Sequence, residues 1–420
     1  MLRQSYMYLV LQLLNVFIGL FVTIYIAQNV DTATFAIFAI YIIITTIFTT
    51  FSFLGYETVL IRNVLHWQKN NQINKVINYI SYAIISRLIT SVILVLPILG
   101  YIYYLSIYKF NDQHFVLFSS FIIAGIFSSL ANANGLILKA FNRYILSFSI
   151  MTLSSIFGRL LAIYVFTVLG FKAFIVTLIL TPIFAFIISF FYIKSYFSFN
   201  QIKYRYLFKF LKFKYFIFSG YLNYFKVSID QFLVSIFLSI EVLAVYNLAK
   251  KVEEVGRSSV EGFFDPVIQK TIQYKANRDK AVNYKKKICL IKNIFLLVAI
   301  VFVLTFNLYV NEIIIFSKLE NYTNLNYYLI FASWMPIIYL MHKVQSNIIY
   351  LFDDQKKIFK IDLSIGIVTT SLVLIFLTMI GEEYIYLNRV ITGIVVTCFF
   401  QFYYKKYFCK KSIFNEANIK

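Results

Sequence analysis

Apolar runs of about 20 residues recur along the whole chain, and they constrain its fold more than any other feature. A run of that length crosses the hydrocarbon core of a bilayer as an α-helix. We count twelve such runs, at approximately residues 6–28, 35–61, 79–106, 115–138, 145–169, 172–194, 215–239, 241–268, 288–310, 324–351, 358–380 and 383–407. The chain is therefore predicted to be an all-α integral membrane protein with twelve transmembrane helices.

The composition agrees with this prediction, since 60% of the 420 residues are hydrophobic and only 14% are charged. The first apolar run, Met7 to Ala27, is longer than the apolar core of a secretory signal. No small-residue cleavage site follows it. We therefore expect this run to be a transmembrane helix and not a cleaved signal.

Basic residues cluster in alternate connections between the predicted helices, and this placement accounts for the net charge of +21. Cytoplasmic loops of membrane proteins are enriched in Lys and Arg. The basic connections lie near residues 62–75, 139–143, 194–214, 270–287 and 356–360, and the C-terminal tail is also basic. We therefore predict that both termini are cytoplasmic. The positive charge then orients the chain in the membrane and does not bind nucleic acid.

The longest basic connection divides the chain into two predicted halves. We expect an N-terminal six-helix bundle at 1–194, a cytoplasmic amphipathic linker at 195–214, a C-terminal six-helix bundle at 215–407 and a cytoplasmic tail at 408–420. The linker sequence places basic and apolar residues on different helical faces, which is typical of a helix on the inner leaflet. A loop that carries only topology-determining charge fits the same residues.

The two halves resemble each other in sequence, which suggests an internal repeat. With a shift of 208 residues, Ala36-Ile37-Phe38 lies on Ala244-Val245-Tyr246, and Glu57 lies on Asp265. Six crossings separate the two copies, so they have the same orientation. The repeat is therefore predicted to be parallel, about an axis near the membrane normal.

The predicted span in residues 241–269 is unusual because one side of its helix is charged. Steps of four, three, four and four residues place the charges within an arc of about 80°. These residues are Lys250, Glu254, Arg257, Glu261 and Asp265. Each charge would cost at least ~2.5 kcal/mol if it faced lipid. We therefore predict that the stripe faces either the protein interior or a water-filled cavity, and we expect the two bundles to surround a central cationic cavity.

Further charges lie deep within other predicted helices, at Arg87, Arg159, Lys226 and Asp230. Arg159 has no acidic residue in its own apolar run, which makes it the best single candidate for contacting an anionic ligand. Basic residues outnumber acidic ones near mid-depth. A cationic cavity of this kind favours an anionic substrate such as a diphosphate group.

These charges divide into two predicted roles. The expected contacts to an anionic headgroup are Arg159, Lys226, Lys250, Arg257 and Arg87. The expected coupling-ion or gating residues are Asp230, Glu254, Glu261, Asp265 and Glu57. Another interpretation stays open, in which pairs such as Lys226–Asp230 and Glu253–Arg257 only hold helices together.

The sequence contains no pattern that indicates an enzyme, a metal centre or a bound cofactor. The three cysteines and three histidines are scattered, with no metal-ligand spacing and no disulfide framework. A Gly-rich phosphate loop and a channel selectivity filter are both missing from the sequence. A membrane glycan polymerase or acyltransferase would need a large outer loop, or a nucleophile with a base, and the outer connections here are short.

Several segments resemble Wzx-type polysaccharide flippases of the MOP exporter superfamily. The segment from Ser228 to Glu254 carries Asp230, a short turn, and then Tyr246 and Ala249. First-half stretches that resemble the same family are Phe35 to Phe38, Leu54 to Glu57 and Val59 to Arg62. Positions that are often glycine in the family are occupied here by Ser235, Ser239 and Ala244.

This resemblance implies a MATE-like fold of two six-helix bundles that work by alternating access. It implies that the chain flips undecaprenyl-diphosphate-linked oligosaccharides across the bacterial inner membrane for O-antigen or capsule assembly. The expected partners are that lipid-linked glycan, membrane lipids, a polysaccharide polymerase and a chain-length regulator. A cation-coupled exporter of small amphipathic compounds is the alternative. It would need an acidic pocket, whereas the mid-membrane charge here is basic.

Overall fold

The computed structural model describes residues 2–54, 56–111, 114–141, 143–198, 214–273, 278–352, 355–379 and 381–405. Regular secondary structure in these ranges is entirely helical. The predicted amphipathic linker lies largely outside the described residues, since 199–213 are not described. The predicted tail at 408–420 also lies outside them.

Seven α-helices form the first part of the chain. They are α1 (Leu2–Asn29), α2 (Thr32–Phe51), α3 (Tyr56–Lys69), α4 (Ile73–Tyr108), α5 (Phe115–Ala140), α6 (Tyr144–Leu169) and α7 (Phe171–Ile193). A 3-10 turn, Lys194–Tyr196, follows α7.

Eight α-helices form the described remainder of the chain. They are α8 (Lys214–Val227), α9 (Ile229–Phe237), α10 (Ile240–Gln273), α11 (Arg278–Leu308), α12 (Val310–Phe316), α13 (Leu325–Phe352), α14 (Gln355–Met379) and α15 (Ile385–Tyr404). A 3-10 turn, Glu382–Tyr384, precedes α15.

Each of the twelve predicted spans corresponds to a helix or to a pair of consecutive helices. Within the described ranges, nine helices are long and apolar enough to cross a membrane: α1, α2, α4, α5, α6, α7, α11, α14 and α15. The other three predicted spans correspond to α8 with α9, to α10 and to α13. The first of these is interrupted, and α10 and α13 carry charged side chains. These three spans are the least apolar, and charged side chains within a membrane span are candidates for a functional role.

The predicted span at 35–61 is not one helix, because the chain leaves helical geometry between Phe51 and Tyr56. Side chains of α4 donate hydrogen bonds to backbone carbonyl oxygens at this interruption. Arg87 Nη1 donates to the carbonyl oxygen of Thr49 at 2.9 Å, and Thr90 Oγ1 donates to that of Ser52 at 2.9 Å. Irregular backbone is tolerated inside a membrane protein only where such partners exist.

The predicted span at 215–239 is also interrupted. Helix α8 ends at Val227 and α9 begins at Ile229, with Ser228 in a non-helical conformation between them. The sequence prediction placed Lys226 and Asp230 on one face of a single continuous helix. They instead lie on different helices, one on each side of the interruption.

Helix boundaries repeat along the chain with the spacing that the sequence similarity predicts. Helix α2 begins at Thr32 and α10 begins at Ile240, which is 208 residues later. Helix α6 begins at Tyr144 and α14 begins at Gln355, which is 211 residues later. The interruption after α2 has no counterpart in α10, which continues to Gln273.

The chain divides into two compact units. The first unit contains residues 25–243, and the second unit contains residues 1–24 and 244–420. This division differs from the predicted domains, because α8 and α9 belong to the first unit. Tyr101 on α4 shares a hydrogen bond of 2.6 Å with Ser235, and Lys109 Nζ donates to the carbonyl oxygen of Leu238 at 2.8 Å. The two six-helix bundles remain a prediction drawn from chain order.

Helix α5 packs in the interior of the first unit, against α2, α4 and α7. Its Gly125 allows the ring of Phe48 to approach closely, since a Cβ there would lie 2.3 Å from that ring. Buried aromatic side chains fill the space around this contact, including Phe118, Phe121 and Phe174. The buried core therefore positions the polar side chains of α2 and α4.

Candidate functional site

A cluster of charged and aromatic side chains joins α10 to α13 in the second unit. Glu261 Oε1 accepts hydrogen bonds from Arg257 Nε at 3.2 Å and from the Tyr339 hydroxyl at 2.6 Å. Lys343 Nζ lies 3.8 Å from the same oxygen and donates to the Tyr339 hydroxyl at 3.0 Å. We call these four residues the α10–α13 cluster.

The α10–α13 cluster contains two cations and one carboxylate, so it carries a net positive charge. The Arg257 guanidinium and the Lys343 ammonium each lie 5.3 Å from the centroid of the Tyr339 ring, which adds cation–π attraction. The Arg257 side chain is 29% exposed and that of Glu261 is 25% exposed. Among the described residues, the two terminal guanidinium nitrogens of Arg257 have no hydrogen-bond partner.

The α10–α13 cluster forms where α10 and α13 approach each other closely. Gly256 precedes Arg257, and a Cβ at Gly256 would lie 2.1 Å from Cγ of Pro336. One turn further along α10, Val260 and Phe264 pack with Leu340 in a buried apolar core. The glycine therefore permits the contact that brings the two charged helical faces together.

Replacing Gly256 with alanine is expected to destabilise the protein by about 1–3 kcal/mol, because the proline ring cannot move away without shifting α13. Thermal unfolding in lipid nanodiscs measures this loss. Gly100→Ala on α4 is the matched control, since a Cβ there meets nothing within 4 Å. Equal stability of the two variants would contradict the role of the close approach.

A second ion pair joins α10 to α15. Arg389 Nη2 donates to Glu253 Oε1 at 2.7 Å, Arg389 Nε contacts the other carboxylate oxygen, and the Tyr386 hydroxyl donates to that oxygen at 2.6 Å. Glu253 is buried. The sequence suggested Glu253–Arg257 as a pair, but the hydrogen bonds connect Glu253 to Arg389 and Arg257 to Glu261.

The remaining members of the predicted stripe have different surroundings. Lys250 is buried, whereas Glu254 is 42% exposed and pairs with Lys251 at 2.6 Å. The side chain of Asp265 lies outside the described side chains. The predicted stripe therefore contains several separate contacts and does not form one uniform surface.

Arg87 lies in a buried hydrogen-bond network of the first unit. Its Nε donates to Glu57 Oε1 at 2.7 Å, and each side chain is only 1% exposed. Its Nη1 lies 3.2 Å from Ser52 Oγ and 3.3 Å from Ser129 Oγ. Arg87 was predicted to contact a headgroup and Glu57 to couple or gate transport. In this arrangement neither side chain is accessible, and the hydrogen bonds of Arg87 stabilise the backbone at the interruption after α2.

Arg159 is half-buried on α6 of the first unit. Its positive charge acts on Tyr41 of α2, whose hydroxyl donates to the carbonyl oxygen of Leu178 at 3.0 Å. The preceding Gly158 lies against α7, since a Cβ there would be 2.2 Å from Thr181 Oγ1. The first unit therefore holds a partly exposed cation whose charge acts on a tyrosine.

The predicted pair Lys226 and Asp230 lies at the interruption between α8 and α9. Lys226 is half-buried and Asp230 is buried. Asp230 Oδ1 accepts a hydrogen bond of 2.8 Å from the backbone nitrogen of Gln231. An aspartate in the first turn of a helix is stabilised by the exposed N–H groups there, so Asp230 favours the start of α9.

His114 is one of the three scattered histidines of the sequence. It precedes α5, and burial together with the positive charge of Lys172 lowers its pKa. A neutral imidazole is therefore expected at pH 7. Within the described ranges, no three His, Cys, Asp or Glu residues come together as a metal site.

Sequence reasoning missed Tyr339, Lys343 and Arg389 as members of these clusters. Lys343 lies within the apolar run at 324–351, so the rule that selected Lys226 also selects Lys343. Arg389 lies near one end of the apolar run at 383–407. Tyr339 carries no signal of its own, because 34 tyrosines are distributed along the chain.

A protein-family model described as polysaccharide biosynthesis protein matches residues 1–272, which is more than half of the chain. The chain belongs to this polysaccharide biosynthesis protein family. The matched region includes Glu253, Arg257 and Glu261, and it ends before α11. Comparison with curated proteins by sequence gives no match.

Solved structures of MOP superfamily transporters are similar to the chain over nearly its whole length. An inward-facing multidrug resistance MATE transporter is 14% identical with a TM-score of 0.70, covering 97% of this chain and 96% of its own. A Pyrococcus furiosus transporter, described as having a binding pocket of reverse polarity, is 15% identical with a TM-score of 0.65, covering 98% and 96%. A Vibrio cholerae MATE transporter mutant is 12% identical with a TM-score of 0.61, covering 99% and 98%.

These similarities confirm the predicted fold class, an all-α membrane protein with the MATE-like fold of the MOP superfamily. They also confirm the resemblance to polysaccharide flippases at the level of the family. At identities of 12–15% the solved structures establish the fold alone. The family member is therefore a multi-pass membrane protein with the architecture of transporters.

Proposed function

We propose that the chain flips undecaprenyl-diphosphate-linked oligosaccharide repeat units from the cytoplasmic to the outer leaflet of the bacterial inner membrane. These units would feed O-antigen or capsular polysaccharide assembly. The observation that carries the proposal is the α10–α13 cluster, in which Arg257 and Lys343 both contact the carboxylate of Glu261. Membership of the polysaccharide biosynthesis protein family supports the same conclusion.

A diphosphate headgroup matches the chemistry of the α10–α13 cluster. Arginine presents a planar set of donors that binds phosphate oxygens in pairs, while lysine acts as a compact point charge. The terminal nitrogens of Arg257 and the net positive charge of the cluster are suited to such a group. The cluster would offset the cost of taking the diphosphate across the membrane while the polyprenyl tail stays in lipid.

Arg159 supplies the second proposed contact, on the first unit. Like Arg257, it is a partly exposed arginine whose charge acts on a tyrosine, in this case Tyr41. We assign Lys226 and Lys250 to the same cationic path, and Asp230, Glu254 and Asp265 to coupling or gating. Alternating access would present these residues first to one leaflet and then to the other.

A cation-coupled exporter of small amphipathic compounds is the second candidate, because two of the similar structures are described as multidrug resistance MATE transporters. That function requires a pocket with excess negative charge. The net positive α10–α13 cluster favours an anionic substrate instead. Proposed further features are cytoplasmic termini, a polysaccharide polymerase and chain-length regulator as partners, and transport without a catalytic step or cofactor.

A deletion strain tests the proposed function directly. Its polyprenyl-linked sugars are extracted, and their leaflet is determined by accessibility to a membrane-impermeant sugar-oxidising reagent. We expect complete repeat units to accumulate on the cytoplasmic side while surface polysaccharide is lost, and a plasmid copy of the gene to restore both. Normal surface polysaccharide with a new sensitivity to cationic drugs would support the exporter instead.

A further inference from the structure

The carboxylate of Glu261 occupies the position that a phosphate oxygen would need in the α10–α13 cluster. A single oxygen, Oε1, accepts from the Tyr339 hydroxyl at 2.6 Å and from Arg257 Nε at 3.2 Å, and it lies 3.8 Å from Lys343 Nζ. Guanidinium, ammonium and hydroxyl groups are the donors that also bind phosphate. The donors of the cluster are therefore already bound to an anionic side chain of the protein itself, the carboxylate of Glu261.

Three different positions supply these contacts, and they converge from two helices. Arg257 is on the same helix as Glu261, one turn away, whereas Tyr339 and Lys343 come from α13. An apolar core that contains Phe264, Phe295 and Leu340 packs nearby. An approaching anion would therefore meet donors that are already engaged by Glu261.

We propose that Glu261 is a competing internal ligand, which holds the anion site in the absence of substrate and is displaced by the substrate's diphosphate. This inference rests on the proposed function of the same site. On displacement, Arg257 and Lys343 exchange one carboxylate for phosphate oxygens, so neither cation is left without an anion. On release, Glu261 returns to the cluster and replaces the departing group.

The exposure of Glu261 makes such an exchange feasible. Its side chain is 25% exposed, in contrast to Glu253, which is 5% exposed and held on both oxygens by Arg389. A carboxylate at the edge of a cluster can turn towards water without becoming a buried, unpaired charge. Competition also weakens net binding, and transport requires binding that is weak enough to allow release.

Binding of inorganic diphosphate to purified protein in nanodiscs tests the inference. Glu261→Gln removes the competing charge and keeps an oxygen that accepts from Tyr339. We expect this variant to bind radiolabelled diphosphate about tenfold to hundredfold more tightly than the unaltered protein. The matched control is Glu241→Gln, which makes the same charge change in the first turn of α10, at an exposed residue 20 positions before Glu261. We expect this control to change affinity by less than about threefold.

Further variants separate failure of the inference from failure of the proposed function. Adding Arg257→Gln to Glu261→Gln should abolish the gained affinity, because Arg257 is the donor released by the first change. Glu261→Asp gives an independent measurement, since the shorter side chain retracts from Tyr339 and Lys343 and should produce an intermediate gain.

Three results would overturn the inference. If the unaltered protein binds diphosphate and neither Glu261 variant binds it more tightly, the competing-ligand role is wrong and the proposed function stands. An equal gain in Glu241→Gln would show a general charge effect and would also contradict direct competition. Diphosphate binding by none of the variants would overturn both the inference and the proposed anion site.

Discussion

Replacing Arg87 with methionine is expected to lower the free energy of unfolding by about 3–5 kcal/mol. Arg87 and Glu57 are each 1% exposed, so the substitution leaves a carboxylate buried without its cation. It also removes the donor to the Thr49 carbonyl oxygen at the interruption after α2. The second carboxylate oxygen of Glu57 already lies buried without a hydrogen-bond partner among the described residues. Little in the surroundings can therefore compensate.

Thermal unfolding in nanodiscs measures this loss, and a double variant identifies its cause. Adding Glu57→Gln to Arg87→Met removes the uncompensated charge and should recover most of the stability. Arg159→Met is the matched control. Because Arg159 is half-buried, its replacement should lower the free energy of unfolding much less. Similar losses for Arg87→Met and Arg159→Met would contradict the buried-pair explanation.

Replacing both Arg257 and Lys343 with glutamine is expected to reduce polysaccharide export by at least about a hundredfold. A hydrogen bond to a charged group contributes about 1.5–3 kcal/mol, and each 1.4 kcal/mol corresponds to a tenfold change. The double variant removes both cations of the α10–α13 cluster and leaves Glu261 alone beside Tyr339. The diphosphate would then meet a negative charge where two positive charges had been.

Export is measured as surface polysaccharide in the deletion strain that carries each variant at an equal protein level. Lys251→Gln is the matched control, since it removes a positive charge from α10 at a residue paired with Glu254. It should leave export nearly unchanged. Normal export by the double variant, in correctly inserted protein, would exclude the α10–α13 cluster as the headgroup site.

The fold class followed from the sequence because bilayer thickness sets the length of an apolar helix. Each predicted span has a helical counterpart, and the 208-residue repeat reappears at the starts of α2 and α10. The interruptions at Ser52 and Ser228 were not predicted. Both lie within apolar runs, and neither is marked by proline. Hydrophobic length alone therefore does not reveal where a span breaks.

The candidate site was predictable only in part. The charges on α10 stood out because charged residues are costly in a membrane. Helical spacing placed Arg257 and Glu261 one turn apart on the same stripe, and the structure pairs them. The cost of a charge in a membrane also grouped Arg87 with the accessible cations, although the fold buries it against Glu57. The free-energy cost of exposing a charge to lipid shows that the charged residue needs a partner. It does not show whether that partner is another side chain of the protein or a group of the substrate.

The sequence by itself determined that this chain crosses a membrane repeatedly, that its halves repeat and that α10 carries charge on one face. These features depend on local composition and helical periodicity. Only the tertiary structure decided which charges meet. Glu253 pairs with Arg389, and Glu261 meets Tyr339 and Lys343, across more than 70 residues of chain in each case. Such pairs depend on which helical faces approach, and at α10 and α13 that approach is set by the contact of Gly256 with Pro336.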